Sequence, residues 1–298
     1  MRTNIKILFS KLVLFLLFAG YSYTQQKADL VAFSYNRPIQ LYALLESIET
    51  YITGLEEIHV IYRASGPQYE EAYQEIKETF NYVTFWAQGS DPQKDFKPLT
   101  LKASFDSPSD YIIFAVDDII VKDFIDLSKS IELLEETNAY GLYFRLGLHL
   151  TRCYSLNTAQ AIPVHDHVID DVYSWKFKNG TCDWRYPNTV DMTLYRKKDI
   201  ESTFRRMNYT APNYLECCWA GRTNWIHNSI GLFHNETKIV NLPLNRVQDR
   251  FRNRTMNAFS AKELLDIFNQ GLKIDISPLF KMKNKAAHED YIPEFINR

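Results

Sequence analysis

The run Tyr111-Ile112-Ile113-Phe114-Ala115-Val116 is the most strand-like in the chain, and it ends on two acidic residues, Asp117-Asp118. An unbroken apolar run of this length suits a strand buried on both faces. Two carboxylates cannot follow it into an apolar core cheaply, so they must meet a cation or solvent. A diphosphate with a divalent metal supplies such a cation, because Mg2+ and Mn2+ take oxygen ligands and often share one or two protein carboxylates with substrate phosphates. The alternative is a strand end where the two aspartates cap the next helix or sit in water.

Upstream, strands alternate with helices. Leu30 to Phe33 is a short apolar run that breaks at Ser34-Tyr35-Asn36-Arg37. Pro38 then sits where a first helical position tolerates a missing N–H, and Leu41, Leu44, Leu45 and Ile48 recur at helical spacing to about Tyr51. Ile58 to Tyr62 reads as a strand, and Pro67 opens a helix carrying Tyr69, Ala72, Tyr73 and Ile76. A third strand fits Tyr82 to Trp86, with a helix over Leu99 to Phe105. This alternation implies an α/β fold with a mostly parallel sheet, and such sheets hold ligands at the carboxyl ends of their strands. Asp117 and Asp118 stand at such an end.

Downstream, Phe124 to Glu136 is expected as a helix and Tyr140 to Leu146 as a strand, followed by a loop-rich stretch from His149 to Asn188 suited to acceptor contacts. A strand at Met192 to Tyr195, helices at Lys198 to Met207 and Asn213 to Ala220, and a strand at Gly231 to His234 restore order. Ser260-Ala261-Lys262-Glu263 matches a capping box opening a helix to about Asn269, with Gly271 as its stop. There is no repeat, low-complexity tract or linker.

With 298 residues, 46% of them hydrophobic, the chain can bury one large core or two small ones without disulfides. A net charge of −2 provides no single-sign field to attract nucleic acid. Arg2 and Lys6 precede a short apolar stretch interrupted by Lys11, so residues 1–26 are expected as a signal peptide or signal anchor. That implies a secretory or membrane-associated protein, with the cytoplasm as the alternative. Cys153 and Cys182 could pair in an oxidising lumen. N-x-[ST] matches at Asn179, Asn208, Asn235 and Asn253 are weak support for secretion.

Leu30 to Ile48, LVAFSYNRPIQLYALLESI, resembles the opening strand and helix of GT-A glycosyltransferases, especially the family-2-like group, and the likeness runs from about Asp29 to Arg196. It implies a nucleotide-sugar-binding half at 27–196 and an acceptor and catalytic half of the same domain at 197–298. The family's metal motif is usually Asp-x-Asp, whereas Val116 holds the first position here. By resemblance Asp118 would bind Mn2+ or Mg2+, Asp117 would approach the donor, and Phe33, Ser34, Asn36 and Arg37 would line the nucleotide pocket. Tyr62 and Arg63 occupy the place of a base-holding Asp, which implies stacking or a guanidinium contact, with Arg63 as a surface residue the alternative. The family sometimes completes its metal with a histidine near the C-terminus, and His288 is the candidate chosen over His227 and His234.

An inverting transfer needs a carboxylate to deprotonate the acceptor hydroxyl. Glu216 is the choice, because the apolar Cys217-Cys218-Trp219 that follows it would desolvate a neighbouring carboxylate and raise its pKa. Asp191 is the rival base or an acceptor contact, and a retaining mechanism would need no such group. Lys97 could reach the diphosphate or stay solvated. The stretch from Asn241 to Gln248 with Arg246, followed by Arg250, Arg252 and Arg254, could lie over the leaving diphosphate or form a solvated face. His165, Asp166 and His167 with Asp170 and Asp171 suggest a metal site, with a solvated loop as the alternative. The expected activity is therefore transfer of a sugar from a nucleotide-diphosphate donor to a glycan, lipid or protein acceptor. A sugar-binding or inactive relative, a nucleotidyltransferase and a glycoside hydrolase are the competing readings.

Overall fold

The computed structural model describes residues 26–248 and 251–298. Apart from residue 26, the expected signal segment lies outside the described residues, as does Arg250. Among the described residues no helix is long and apolar enough to cross a membrane.

Nine strands form one sheet. In chain order they are β1 (Ala28–Tyr35), β2 (Leu55–Arg63), β3 (Thr84–Ala87), β4 (Tyr111–Val116), β5 (Gly141–Tyr143), β6 (His165–Ile169), β7 (Val172–Lys176), β8 (Thr193–Arg196) and β9 (Ile230–His234). Their order across the sheet is β6-β7-β9-β5-β8-β4-β1-β2-β3. All run in one sense except β7 and β8, which lie antiparallel to both neighbours. The α/β class with a mostly parallel central sheet is therefore what forms.

Among the described residues seven α-helices cover the sheet: α1 (Pro38–Tyr51), α2 (Pro67–Thr79), α3 (Pro92–Phe105), α4 (Leu127–Thr137), α5 (Lys197–Arg206), α6 (Pro212–Ala220) and α7 (Ala261–Asn269). Successive strand residues point to opposite faces, so each apolar run feeds two cores. Leu30, Ala32, Ile113 and Ala115 pack with α1, α2, α4 and α7. Val31, Phe33, Ile112 and Phe114 pack with α3, α5 and α6. This two-sided cover is why β1 and β4 read as continuous apolar runs.

Several boundaries differ from the sequence reading, each for a local reason. Helix α3 begins at Pro92 rather than Leu99. The Asp91 side chain accepts the Lys94 N–H and buried Phe96 anchors the first turn, so the helix passes through Pro98. Helix α4 starts at Leu127 because Asp126 caps it, accepting from Ser128 and Lys129. The stretch from His149 to Asn188 is not simply loop: β6 and β7 form a hairpin that extends the sheet. The edge strand β6 is largely exposed, so it lacks the apolar alternation that would mark it. Gly231 is required in β9, since a Cβ there would lie 2.5 Å from the Trp175 ring. The capping box at Ser260 and Glu263 forms as expected. Strand β9, from the later half of the chain, sits inside the sheet between β5 and β7, so both halves share one core.

Candidate active site

Strands β1 and β4 are parallel neighbours, so their carboxyl ends lie side by side. The Asp117 N–H donates to the Phe33 carbonyl at 3.1 Å, and Asp117 Oδ2 accepts the Tyr35 N–H at 3.2 Å. Asn36 then turns the chain in the left-handed region (φ 52°), a conformation asparagine tolerates well. Its side chain clasps Ser65 at both ends, through Nδ2 at 2.7 Å and Oδ1 at 2.9 Å.

That turn delivers Arg37 to the two carboxylates. Its Nη1 donates to Asp117 Oδ1 at 2.9 Å and to Asp118 Oδ2 at 3.3 Å, while Nε and Nη2 donate to the side chain and backbone of Asn245. Burial alone would lower the Arg37 pKa, but the two aspartates more than offset it. Burial raises the Asp117 pKa against the pull of Arg37, with Asp118 adding to the rise. The cation that the acidic pair needs is thus present in the chain itself. Ser34 and Tyr73 complete the shell, their hydroxyls 2.7 Å apart, and Tyr73 accepts the Arg37 N–H.

A divalent ion would find one protein oxygen ready. Asp118 Oδ1 is buried with no hydrogen-bond partner. His288 lies one strand beyond: Asn241 in the short strand Ile239–Asn241, which pairs with Ile119–Val121, bonds on either side of it to Ala287 and Glu289. The His288 ring stacks on Tyr154 at 5.5 Å. Among the described residues no three His, Cys, Asp or Glu side chains converge as a metal-holding group. The site fits an ion shared between Asp118 and ligand phosphates rather than a cage made by protein alone.

The second carboxylate centre is built by α6. Glu216 Oε1 accepts the Thr189 hydroxyl at 2.7 Å and the Val190 N–H at 3.0 Å. Burial and the neighbouring Asp191 raise its pKa from about 4.5 to about 7. Asp191 Oδ1 accepts from Asn241 Nδ2 at 3.5 Å, and the next residue along, Leu242, donates its N–H to the Asp118 carbonyl at 2.7 Å. A continuous run of contacts therefore links Glu216 and Asp191 to the end of β4.

Other expected residues fall elsewhere. The Phe33 ring faces the core against Phe96 and Phe114, leaving its carbonyl at the site. Tyr62 is buried and donates to Glu70, so it offers no stacking face to a base; Arg63 instead lies 4.7 Å over the Tyr35 ring. The Lys97 ammonium donates to the Arg205 and Met207 carbonyls at the end of α5. Arg246 and Arg252 are exposed, and Arg254 pairs with Asp290 and covers Tyr154. Asp171 pairs with His234 and Lys238, while His167 bonds to the Asp170 carbonyl, so these side chains do not gather round an ion. The cavity of about 350 Å3 bounded by Arg185, Asn224 and His227 contains none of the site's groups.

Arg145 is a site residue that sequence reasoning missed, whereas Asn241 and Asn245 lie in the stretch expected over the diphosphate. Arg145 is 2% exposed, and its guanidinium donates to the Asp183 and Tyr186 carbonyls. Asp183, Asp191 and Glu216 together outweigh its burial and raise its pKa. A lone charge inside the apolar run from Tyr140 to Leu146 was the available signal.

No family model matches the chain. It is 23% identical to the bifunctional glycosyltransferase pgtA of Dictyostelium discoideum, an alignment that covers 89% of this chain and 36% of that protein. The chain thus spans about a third of that relative's length. Among solved structures, S. aureus TarS (residues 1–349) is 14% identical, covering 60% of this chain and 49% of that one with a TM-score of 0.37. The mannosyltransferase PcManGT from Pyrobaculum calidifontis, in complex with GDP-Man and Mn2+, is 10% identical, covering 63% and 55% with a TM-score of 0.36.

Proposed function

We propose that this chain is a glycosyltransferase that moves a sugar from a nucleoside-diphosphate donor to a hydroxyl of a glycan, lipid or protein acceptor, with Glu216 as the base. The observation that carries the reading is the pairing of two unlike carboxylate centres at one sheet end. Asp117 and Asp118 share the Arg37 guanidinium, whereas Glu216 accepts from the neutral Thr189 and Val190 donors and has its pKa raised to about 7. Carboxylates held against a fixed cation suit an electrostatic role, and a carboxyl with a pKa near neutrality suits proton transfer. The similarity to pgtA supports the same chemistry.

In this mechanism Arg37 and Asp117 hold the donor end of the site, and the Arg63–Tyr35 pair faces the nucleotide. A Mn2+ or Mg2+ ion on Asp118 Oδ1, with His288 as a further ligand, would supply positive charge to the departing diphosphate. The acceptor oxygen attacks the anomeric carbon as the bond from that carbon to the diphosphate oxygen breaks, and the diphosphate leaves with the electron pair. The acceptor proton passes to Glu216. Among the described residues the hydrogen bonds to Glu216 both end on Oε1, so Oε2 is the oxygen that receives it. Asp191, tied to Asn241, raises the Glu216 pKa and so favours the proton's transfer to Glu216.

The test is a panel of nucleoside-diphosphate sugars, with and without Mn2+, read by thermal shift and by release of nucleoside diphosphate. A stabilising donor whose turnover is lost in Glu216→Gln supports the reading. A chain that binds no nucleotide but cleaves glycosides would be a hydrolase instead.

A further inference from the structure

Cys153 and Cys182 stand on two separate turns that the fold presses together. Cys153 is buried in the short pair formed by Arg152–Cys153 and Thr158–Ala159. Cys182 opens the turn Cys182–Arg185 and is partly exposed. Gln160 joins the two segments. Its Nε2 donates to the Arg152 carbonyl at 3.0 Å and to Asp183 Oδ2 at 3.1 Å, and its Oε1 accepts the Asp183 N–H at 3.2 Å. The Cys153 thiol itself reaches Asp183 Oδ1 at 3.8 Å. Burial and the adjacent Cys153 thiol, in hydrogen-bond contact with it, hold the Cys182 thiol above the ordinary cysteine range.

The Cys182 turn is also under backbone strain. Cys182 has φ 50°, in the left-handed region that a non-glycine residue occupies only where its surroundings over-determine it. Two residues earlier, a Cβ on Gly180 would lie 2.3 Å from the Trp184 carbonyl oxygen, so the turn closes too tightly for any side chain there. This geometry holds the strained residue with its thiol against Cys153. Cys217 and Cys218, adjacent on α6, have no comparable setting.

We propose that Cys153 and Cys182 form an oxidisable pair, converted to a disulfide by a low-molecular-weight disulfide such as oxidised glutathione. The more exposed Cys182 attacks the oxidant as its thiolate, forming a mixed disulfide and releasing one thiol. Cys153 then attacks the Cys182 sulfur and releases the second. Two protein S–H bonds are lost and one S–S bond forms, while the two protons and two electrons leave on the oxidant as two thiols. The cross-link clamps the turn whose Asp183 and Tyr186 carbonyls hold Arg145, the cation beside Asp191 and Glu216. It does not depend on the sugar-transfer reading.

The full chain is incubated with oxidised glutathione or with dithiothreitol, alkylated, digested with trypsin and analysed by mass spectrometry. Oxidation is expected to join peptide Cys153–Lys176 to peptide Asn179–Arg185, with Cys217 and Cys218 outside that cross-link. Closing this loop should raise Tm by about 5 °C over the reduced protein, a difference that Cys182→Ser should abolish. Separate glutathione or alkyl adducts on Cys153 and Cys182 after oxidation overturn the proposal, as does a redox-dependent Tm that persists in Cys182→Ser.

Discussion

Arg37 donates to Asp117 at 2.9 Å although the two residues are 80 positions apart in the chain. The contact ties the turn after β1 to the end of β4 and, through Asn245, to the later half of the chain. Arg37→Ala should leave Asp117 buried without its cation and destabilise the fold by about 3 kcal/mol. Arg37→Lys keeps the charge but cannot offer separate N–H groups to both aspartates and Asn245, so it should fold better yet bind donor at least ~10-fold more weakly. Urea denaturation and donor titration measure both; wild-type stability in Arg37→Ala would remove Arg37 from this role.

Glu216 should control the pH profile. Its folded-state pKa lies above its ordinary value, so its contribution to stability is complete below about pH 4.5 and is lost as pH rises through about 7. Glu216→Gln should flatten the stability curve in that window. As the base it must be deprotonated, so kcat/KM should rise through about pH 7 in the wild type, and the variant should be slower by roughly 10²–10⁴ with little change in donor affinity. A variant with the wild-type rate would assign the proton to another group, Asp191 first.

Asp118→Asn tests the metal. The substitution removes the ionised oxygen that has no partner in the fold, so any strengthening of donor binding by Mn2+ should fall at least ~10-fold while stability shifts by less than about 1 kcal/mol. Calorimetry of donor binding with and without Mn2+ separates the two effects. Equal metal responses in both proteins would place the ion elsewhere.

Lys197 and Asp29 form a buried ion pair at 2.6 Å, with Asp29 fully inaccessible. Lys197→Met should cost about 3–5 kcal/mol by stranding the carboxylate, and adding Asp29→Leu should recover most of that loss. Chemical denaturation of the two variants decides; an additive further loss in the double variant would mean the pair is held for packing rather than charge.

The alternation of strands and helices was legible because β1 and β4 are covered on both faces, which forces their residues to be apolar whatever lies around them. The acidic pair was legible for the same reason, standing out against the apolar run it ends. Edge strand β6 was not, since one neighbour and much solvent impose no pattern on its side chains. The start of α3 was missed because Pro98 reads as a break, while the Asp91 cap and the burial of Phe96 that outweigh it need the folded context.

The site divides along the same line. Local sequence was enough to mark Asp117, Asp118 and Glu216 as candidates, because a carboxylate beside an apolar run faces a desolvation cost that must be met. Sequence alone also determined the class of the fold, through the periodicity that two-sided burial demands. Only the tertiary structure decided which groups meet that cost: Arg37 for the aspartates, Thr189 and Val190 for Glu216, and Arg145 nearby. Those partners are distant in the chain, and a hydrogen bond or ion pair has a reach of a few ångströms in space but none along the sequence.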